Sequence, residues 1–153
     1  MMKEIEGDLI KMAQTGHFDV IVHGCNCFCQ MGAGIAKDIR DQCREAYVAD
    51  RMTIPSDKSK LGTITYAEIS KGNYVCVNAY TQFGYTRGDT VDVDYDALSR
   101  CFQEIKKTFT GKRIGIPLIG AGLAGGDWTV ISAIINEVME DEDITLVRYN
   151  PDL

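Results

Sequence analysis

No apolar run in this 153-residue chain approaches the roughly 18 residues that cross a bilayer, and no charged-then-apolar leader opens it; the expectation is a cytoplasmic protein with no membrane partner. Positive charge is scarce, since 16 Lys and Arg face 22 Asp and Glu for a net charge of −6. Phosphate backbones are gripped largely by clustered Lys and Arg, which argues against a broad nucleic-acid face but leaves room for a small anion held by backbone amides. The six cysteines (Cys25, Cys27, Cys29, Cys43, Cys76, Cys101) lack the paired C-x-x-C knuckles of a structural zinc site, and without a secretory signal reduced thiols are expected. Neither a metal nor a cofactor is expected, and Cys43, Cys76 and Cys101 read as small core residues. There is no repeat, linker or low-complexity tract, and 45% apolar with 25% charged residues is ordinary for a globular protein. The length suits one domain over residues 1–153.

What is there alternates between strands and helices. Residues 3–6 read as a short strand, and Leu9, Ile10 and Met12 as a short helix that Asp8 caps. Residues 18–23 form an apolar, β-branched run expected of a central strand covered on both faces. Beyond Gly34, the spacing of Ile35, Ala36, Ile39, Cys43, Ala46 and Tyr47 predicts a helix to about residue 49. Residues 55–60 read as a polar loop, and residues 62–69 and 74–80 as a hairpin turning at 70–73. A glycine-bearing loop over residues 82–89 follows, with Phe83 and Tyr85 either covering a ligand or packing locally. The acidic stretch 92–94 opens a helix through Leu98, Cys101, Ile105 and Phe109. Residues 113–118 are a buried strand, Asp127 an N-cap, and Trp128, Ile131, Ile134, Ile135 and Val138 the core face of a last helix. Residues 144–149 close the chain as a strand, and Pro151 ends regular structure. The sum is an α/β sandwich with a mixed sheet.

Two small-residue loops interrupt this pattern where a strand hands over to a helix: Met31-Gly32-Ala33-Gly34-Ile35-Ala36, and Gly120-Ala121-Gly122-Leu123-Ala124-Gly125-Gly126. Small residues leave backbone amides exposed, and the partial positive charge of a helix start suits a phosphate. The first loop lacks the Lys-Ser/Thr ending of a nucleotide triphosphatase P-loop and misses the G-x-G-x-x-G spacing of dinucleotide binders. Together the two loops can hold one diphosphate from both sides, provided they converge.

In order along the chain, Gly7-Asp8-Leu9-Ile10, Val22-His23-Gly24-Cys25-Asn26, Met31-Gly32-Ala33-Gly34-Ile35-Ala36 and Pro117-Leu118-Ile119-Gly120-Ala121-Gly122-Leu123-Ala124-Gly125-Gly126-Asp127-Trp128 resemble the signature of a macrodomain. The resemblance covers essentially the whole chain and implies a three-layer α/β/α fold with a mixed central sheet. It also implies binding of ADP-ribose, with a modified protein or nucleic acid as a further partner. By that similarity Asp8 accepts a hydrogen bond from the adenine amino group, the Leu9 amide meets the neighbouring ring nitrogen, and Tyr149 or Asn150 borders the adenine. Asn26 bonds the distal ribose; the backbone of Gly32, Ala33, Gly34, Ile35 and Ala36 and of Gly120, Ala121, Gly122, Leu123, Ala124 and Gly125 wraps the diphosphate.

The departures bear on catalysis. The lysine nucleophile of one glycohydrolase branch aligns with Arg40 and its acidic partner with Ala124, and neither residue offers that chemistry. His23-Gly24-Cys25-Asn26-Cys27 is similar to the branch that removes the phosphate from ADP-ribose 1''-phosphate. His23 is then an acid, base or nucleophile, or else a structural hydrogen bonder. Asp127 either activates water or only caps its helix, and Lys37 and Arg40 either face solvent or approach the distal phosphate. The enzymatic expectation is hydrolysis of ADP-ribose 1''-phosphate or of an ADP-ribosyl ester, with His23, Asn26 and Asp127 as catalytic candidates. The alternative is a non-catalytic reader of ADP-ribosylated targets.

Overall fold

A computed structural model describes residues 1–86 and 91–153, so the part of the expected 82–89 loop at 87–89 lies outside the described residues. The strands are β1 (Lys3–Gly7), β2 (Val20–Cys25), β3 (Ile64–Ile69), β4 (Tyr74–Tyr80), β5 (Ile114–Ile116) and β6 (Ile144–Tyr149). The helices are α1 (Leu9–Gln14), α2 (Gly34–Gln42), α3 (Arg44–Arg51), α4 (Tyr95–Phe109) and α5 (Trp128–Val138). One six-stranded sheet runs in the order β1-β6-β5-β2-β4-β3. Every neighbouring pair is parallel except the β3–β4 hairpin, so the sheet is mixed as expected. Among the described residues no helix is long and apolar enough to cross a membrane.

Strand alternation divides the core between the two faces. Val20 and Val22 of β2 and Val77 of β4 pack with Leu98, Phe102 and Ile105 of α4 and Ile131 and Ile135 of α5. Ile21 and Cys25 of β2 and Tyr74, Cys76 and Tyr80 of β4 face the other way, against Ile39 of α2 and Ala46 of α3. The helix starts follow their sequence signals: the side chains of Asp8, Asp94 and Asp127 accept from the amides of Lys11, Ala97 and Thr129.

The single helix expected from Gly34 to about residue 49 is two helices. Cys43 leaves the helical region with φ −121° and ψ 61°, and its buried thiol lies 3.2 Å from the Tyr74 hydroxyl. The bend lets α3 turn along the hairpin, where the Glu45 carboxylate accepts from the Ser70 amide and hydroxyl. The loop expected over residues 55–60 contains a single 3₁₀ turn, Lys58–Lys60, capped by Asp57.

Gly115 keeps the short β5 close to α1. A β-carbon there would lie 2.8 Å from Leu9 Cδ1 and 2.8 Å from Phe18 Cδ2, both on buried side chains. Gly115→Ala is therefore expected to cost about 1–3 kcal/mol by overpacking. Chemical denaturation checks this, and a variant as stable as the wild type would show that α1 is free to move away.

Candidate functional site

Strands β2, β5 and β6 run side by side and parallel, so the chain leaves all three at the same edge. The segment after β2 leads into α2, and the segment after β5 leads into α5. Because β2 and β5 are neighbours, these two glycine loops meet across one cavity of about 300 Å3. It is lined by Asn26, Gly32, Ala33, Gly34, Ile35 and Ala36 from the first side and Gly120, Gly122, Leu123 and Ala124 from the second. A neighbouring cavity of about 510 Å3 shares Gly34, Ile35, Pro117 and Leu118 with it and adds Asp8, Leu9, Val147 and Tyr149. The two cavities are the ends of one cleft along the carboxyl ends of the strands, where open α/β sheets hold ligands.

Peptide amides of both loops face that cleft. The first N–H groups of a helix have no acceptor within it, and Ala33, the residue before α2, supplies no capping side chain. Among the described residues the amides of Gly32, Ala33, Gly34, Ile35 and Ala36 are left without an acceptor. In the second loop the Ala121, Gly125 and Gly126 amides donate to the carbonyls of Leu118, Gly122 and Gly120, which curls the backbone. Gly120 at φ 76° and Gly125 at φ 71° occupy the left-handed region that such a curl needs. The amides of Gly120, Gly122, Leu123 and Ala124 have no internal acceptor among the described residues. No lysine or arginine lines either cavity among the described residues, so what those residues offer an anion is neutral donors and the α2 dipole.

A family model described as Macro domain matches residues 22–135. The chain belongs to the macrodomain family. A curated relative, an uncharacterised 17.5 kDa protein from the tk-vs intergenic region of enterobacteria phage T4, is 31% identical over 158 residues, covering 99% of this chain and 98% of that protein. The solved macrodomain of Mycobacterium tuberculosis DarG matches with a TM-score of 0.75 at 18% identity, covering 99% of this chain and 98% of that one. Thermosipho africanus DarTG, solved in complex with ADP-ribose, matches with a TM-score of 0.73 at 16% identity, covering 99% of this chain and 42% of that one. At these identities the solved structures bear on the fold, which is the macrodomain α/β/α sandwich.

Most of the residues read as ligand-binding from sequence converge on this macrodomain cleft. Asp8 lines the second cavity while its Oδ1 caps α1, and Leu9 and the exposed Tyr149 line it too. Asn26 lines the first cavity, but its carboxamide is engaged locally: Oδ1 accepts from the Phe28 amide and Nδ2 donates to the Gln30 carbonyl, each at 2.9 Å. Three residues fall outside the lining. Ala121 and Gly125 shape the second loop from behind, and Asn150 closes a turn in which its amide donates to Gly7 and its Oδ1 accepts from Asp152. Of the two loop aromatics, Tyr85 lines the first cavity, whereas Phe83 packs edge-on against Phe28. Lys37 and Arg40 do not line the cleft, and Arg40 pairs with Asp41.

For two catalytic candidates the surroundings favour the structural alternative. Asp127 accepts from the Thr129 amide as the N-cap of α5 and does not line the cleft. His23 is fully buried and is absent from both cavity walls, because alternation along β2 turns it toward α3 together with its register partner Asn78. The Asn78 amide nitrogen donates to the Ala46 carbonyl and to Thr65, leaving its Oδ1 for the His23 Nε2–H at 2.7 Å. The imidazole, through Asn78, thus joins β2, β4 and α3 and does not line the cleft.

Sequence reasoning passed over Gln82, Asp92, Asp38 and Gln42, all of which border the cleft. Asp38 and Gln42 carried a signal, since they stand at helical spacing from Gly34. Asp92 did not: it reaches the cavity because its amide and that of Val93 bond the Ala124 carbonyl, a contact between distant parts of the chain.

Burial lowers the His23 pKa to about 4, with the Asn78 hydrogen bond opposing the shift. Between pH 6.5 and about 4 the unfolded chain therefore binds the extra proton, and stability must fall as the pH drops through that window. His23→Gln keeps a donor for Asn78 but does not titrate, so its acid-side loss of stability is expected to be smaller by up to about 3 kcal/mol. Parallel pH profiles of urea unfolding for the two proteins would rule out this coupling.

Proposed function

We propose that this macrodomain binds ADP-ribose, or a derivative extended at the distal ribose, across the two cavities. The observation that carries the reading is the convergence of unpaired amides from both glycine loops on one cavity, continuous with a second one bordered by Asp8. Amides at a helix start bond phosphate oxygens strongly, at about 1.5–3 kcal/mol for each hydrogen bond to a charged group. In this reading the diphosphate lies between residues 32–36 and 120–124. The adenine enters the second cavity, its amino group on Asp8 and its ring against Tyr149; the distal ribose faces Asn26. The ADP-ribose complex of Thermosipho africanus DarTG supports the choice of ligand.

A thermal-shift series with ADP-ribose, AMP and NAD tests this, and ADP-ribose is expected to give the largest shift. A β-carbon at Gly122 would meet nothing within 4 Å, so Gly122→Glu adds a carboxylate at the cavity wall without a clash. That variant is expected to fold normally and to bind ADP-ribose about thirtyfold more weakly, through ~2 kcal/mol of like-charge repulsion. No shift with saturating ADP-ribose, or full affinity in Gly122→Glu, would count decisively against the reading.

A second reading, hydrolysis at the distal end, is favoured by Asp92, the carboxylate among the described residues of the first cavity. It can accept the proton of a water that attacks the phosphorus of ADP-ribose 1''-phosphate, releasing inorganic phosphate and ADP-ribose. Phosphate release by the wild type, lost about a hundredfold or more in Asp92→Asn with ADP-ribose binding retained, is the expected result. No release by the wild type leaves a non-catalytic reader of ADP-ribosylated protein or nucleic acid; undiminished release by Asp92→Asn removes Asp92 from the mechanism.

A further inference from the structure

We infer that Asp38 makes the second cavity selective for an unphosphorylated adenosine, so that ligands carrying a phosphate on the adenosine ribose are rejected. The inference rests on the ADP-ribose reading above and concerns the opposite end of the ligand from the reacting ribose.

Gly34, Asp38 and Gln42 stand four residues apart on α2, which stacks them on one helix face, and all three line the second cavity. The field along this stripe changes sign. At Gly34 the open amides and the helix dipole favour an anion, but the dipole's influence fades within the first turn. One turn further on, the Asp38 carboxylate makes no hydrogen bond or ion pair with any described residue. Its basic neighbours on the helix do not neutralise it: Arg40 pairs with Asp41, and Lys37 is exposed and does not line the cavity. Asp8 places a second carboxylate on the same cavity, with one oxygen capping α1.

A free ribose diol can donate hydrogen bonds to such a carboxylate. A phosphate monoester carries about −1.5 to −2 charges, donates little, and would face two carboxylates with no cation on the wall among the described residues. Sites that accept a ribose 2'-phosphate supply an arginine for it. Here the described lining of the second cavity carries Asp8 and Asp38 and no arginine.

The test measures calorimetric affinities of the intact protein for ADP-ribose and for ADP-ribose 2'-phosphate, in the wild type and in Asp38→Asn and Asp38→Lys. The wild type is expected to prefer the unphosphorylated ligand by tenfold or more. The ratio should shrink in Asp38→Asn and shrink further in Asp38→Lys, and in the wild type it should narrow as salt is raised, because the Asp38 carboxylate is exposed to screening. Equal wild-type affinities, or a ratio unchanged in Asp38→Lys, would overturn this inference and leave the ADP-ribose reading standing. A wild type that binds neither ligand would overturn both.

Discussion

The cleft depends on one adjacency, the parallel pairing of β2 with β5. Their register, Val20 with Ile114 and Ile21 with Gly115, makes both strands end on the same side of the sheet, so that two stretches far apart in sequence turn back over a common gap. The pairing is fixed from the opposite end. Asp19 accepts from the Arg113 guanidinium and from the Arg113 amide, and the Arg113 and Asp143 carbonyls continue the ladder into β2 and β5. The guanidinium beside Asp19 holds its carboxyl at about 2, well below the usual carboxylate range. An exposed ion pair adds little stability, so its consequence here is geometric: it sets where each loop begins.

Given that adjacency, glycine and alanine have different tasks in the two loops. In the first loop they leave the start of α2 bare, since any Ser, Thr, Asp or Asn before Gly34 would offer its side chain to the amides that must stay open. In the second loop they permit close backbone approach. A β-carbon at Gly126 would lie 2.5 Å from the Gly120 carbonyl oxygen, so the 126-to-120 hydrogen bond requires a bare α-carbon. That bond closes the curl which turns the amides of residues 122–124 away from the loop's own carbonyls.

The same distinction explains what could be read from the sequence. The strands, the capping aspartates and the two loops are local features, and each was legible from pattern and residue type. The break at Cys43 was not, because it goes with a tertiary contact, that of the Cys43 thiol with the Tyr74 hydroxyl of β4. His23 shows a subtler limit. Alternation with Val20 and Val22 indicates that it faces away from them, but whether that side is cleft or core depends on where α3 lies. The burial of the imidazole and its hydrogen bond to Asn78 beneath α3 place it on the core side. Asp92 was hidden for the converse reason: as a residue ahead of a helix it looked like a dipole partner, and the Ala124 carbonyl brings it to the cavity.

A chain of net charge −6 whose described cleft offers an anion only neutral donors is expected to discriminate by shape. Lysine side chains attract any phosphate at a distance and lose much of that attraction in salt, whereas a peptide N–H acts only at contact and in one direction. The acidic surface repels a bare polyphosphate before it arrives, so entry favours ligands whose charge is compact and whose remaining bulk is neutral. A diphosphate flanked by two riboses meets that condition. In the proposed binding mode its charge lies between the two loops, and its neutral ends lie by Asp8 and Asp38 at one side and by Asn26 at the other, all of which line the cleft. The scarcity of basic residues thus becomes part of the proposed selectivity: the open amides are divided between two loops, so full affinity is expected only for a ligand that engages both at once.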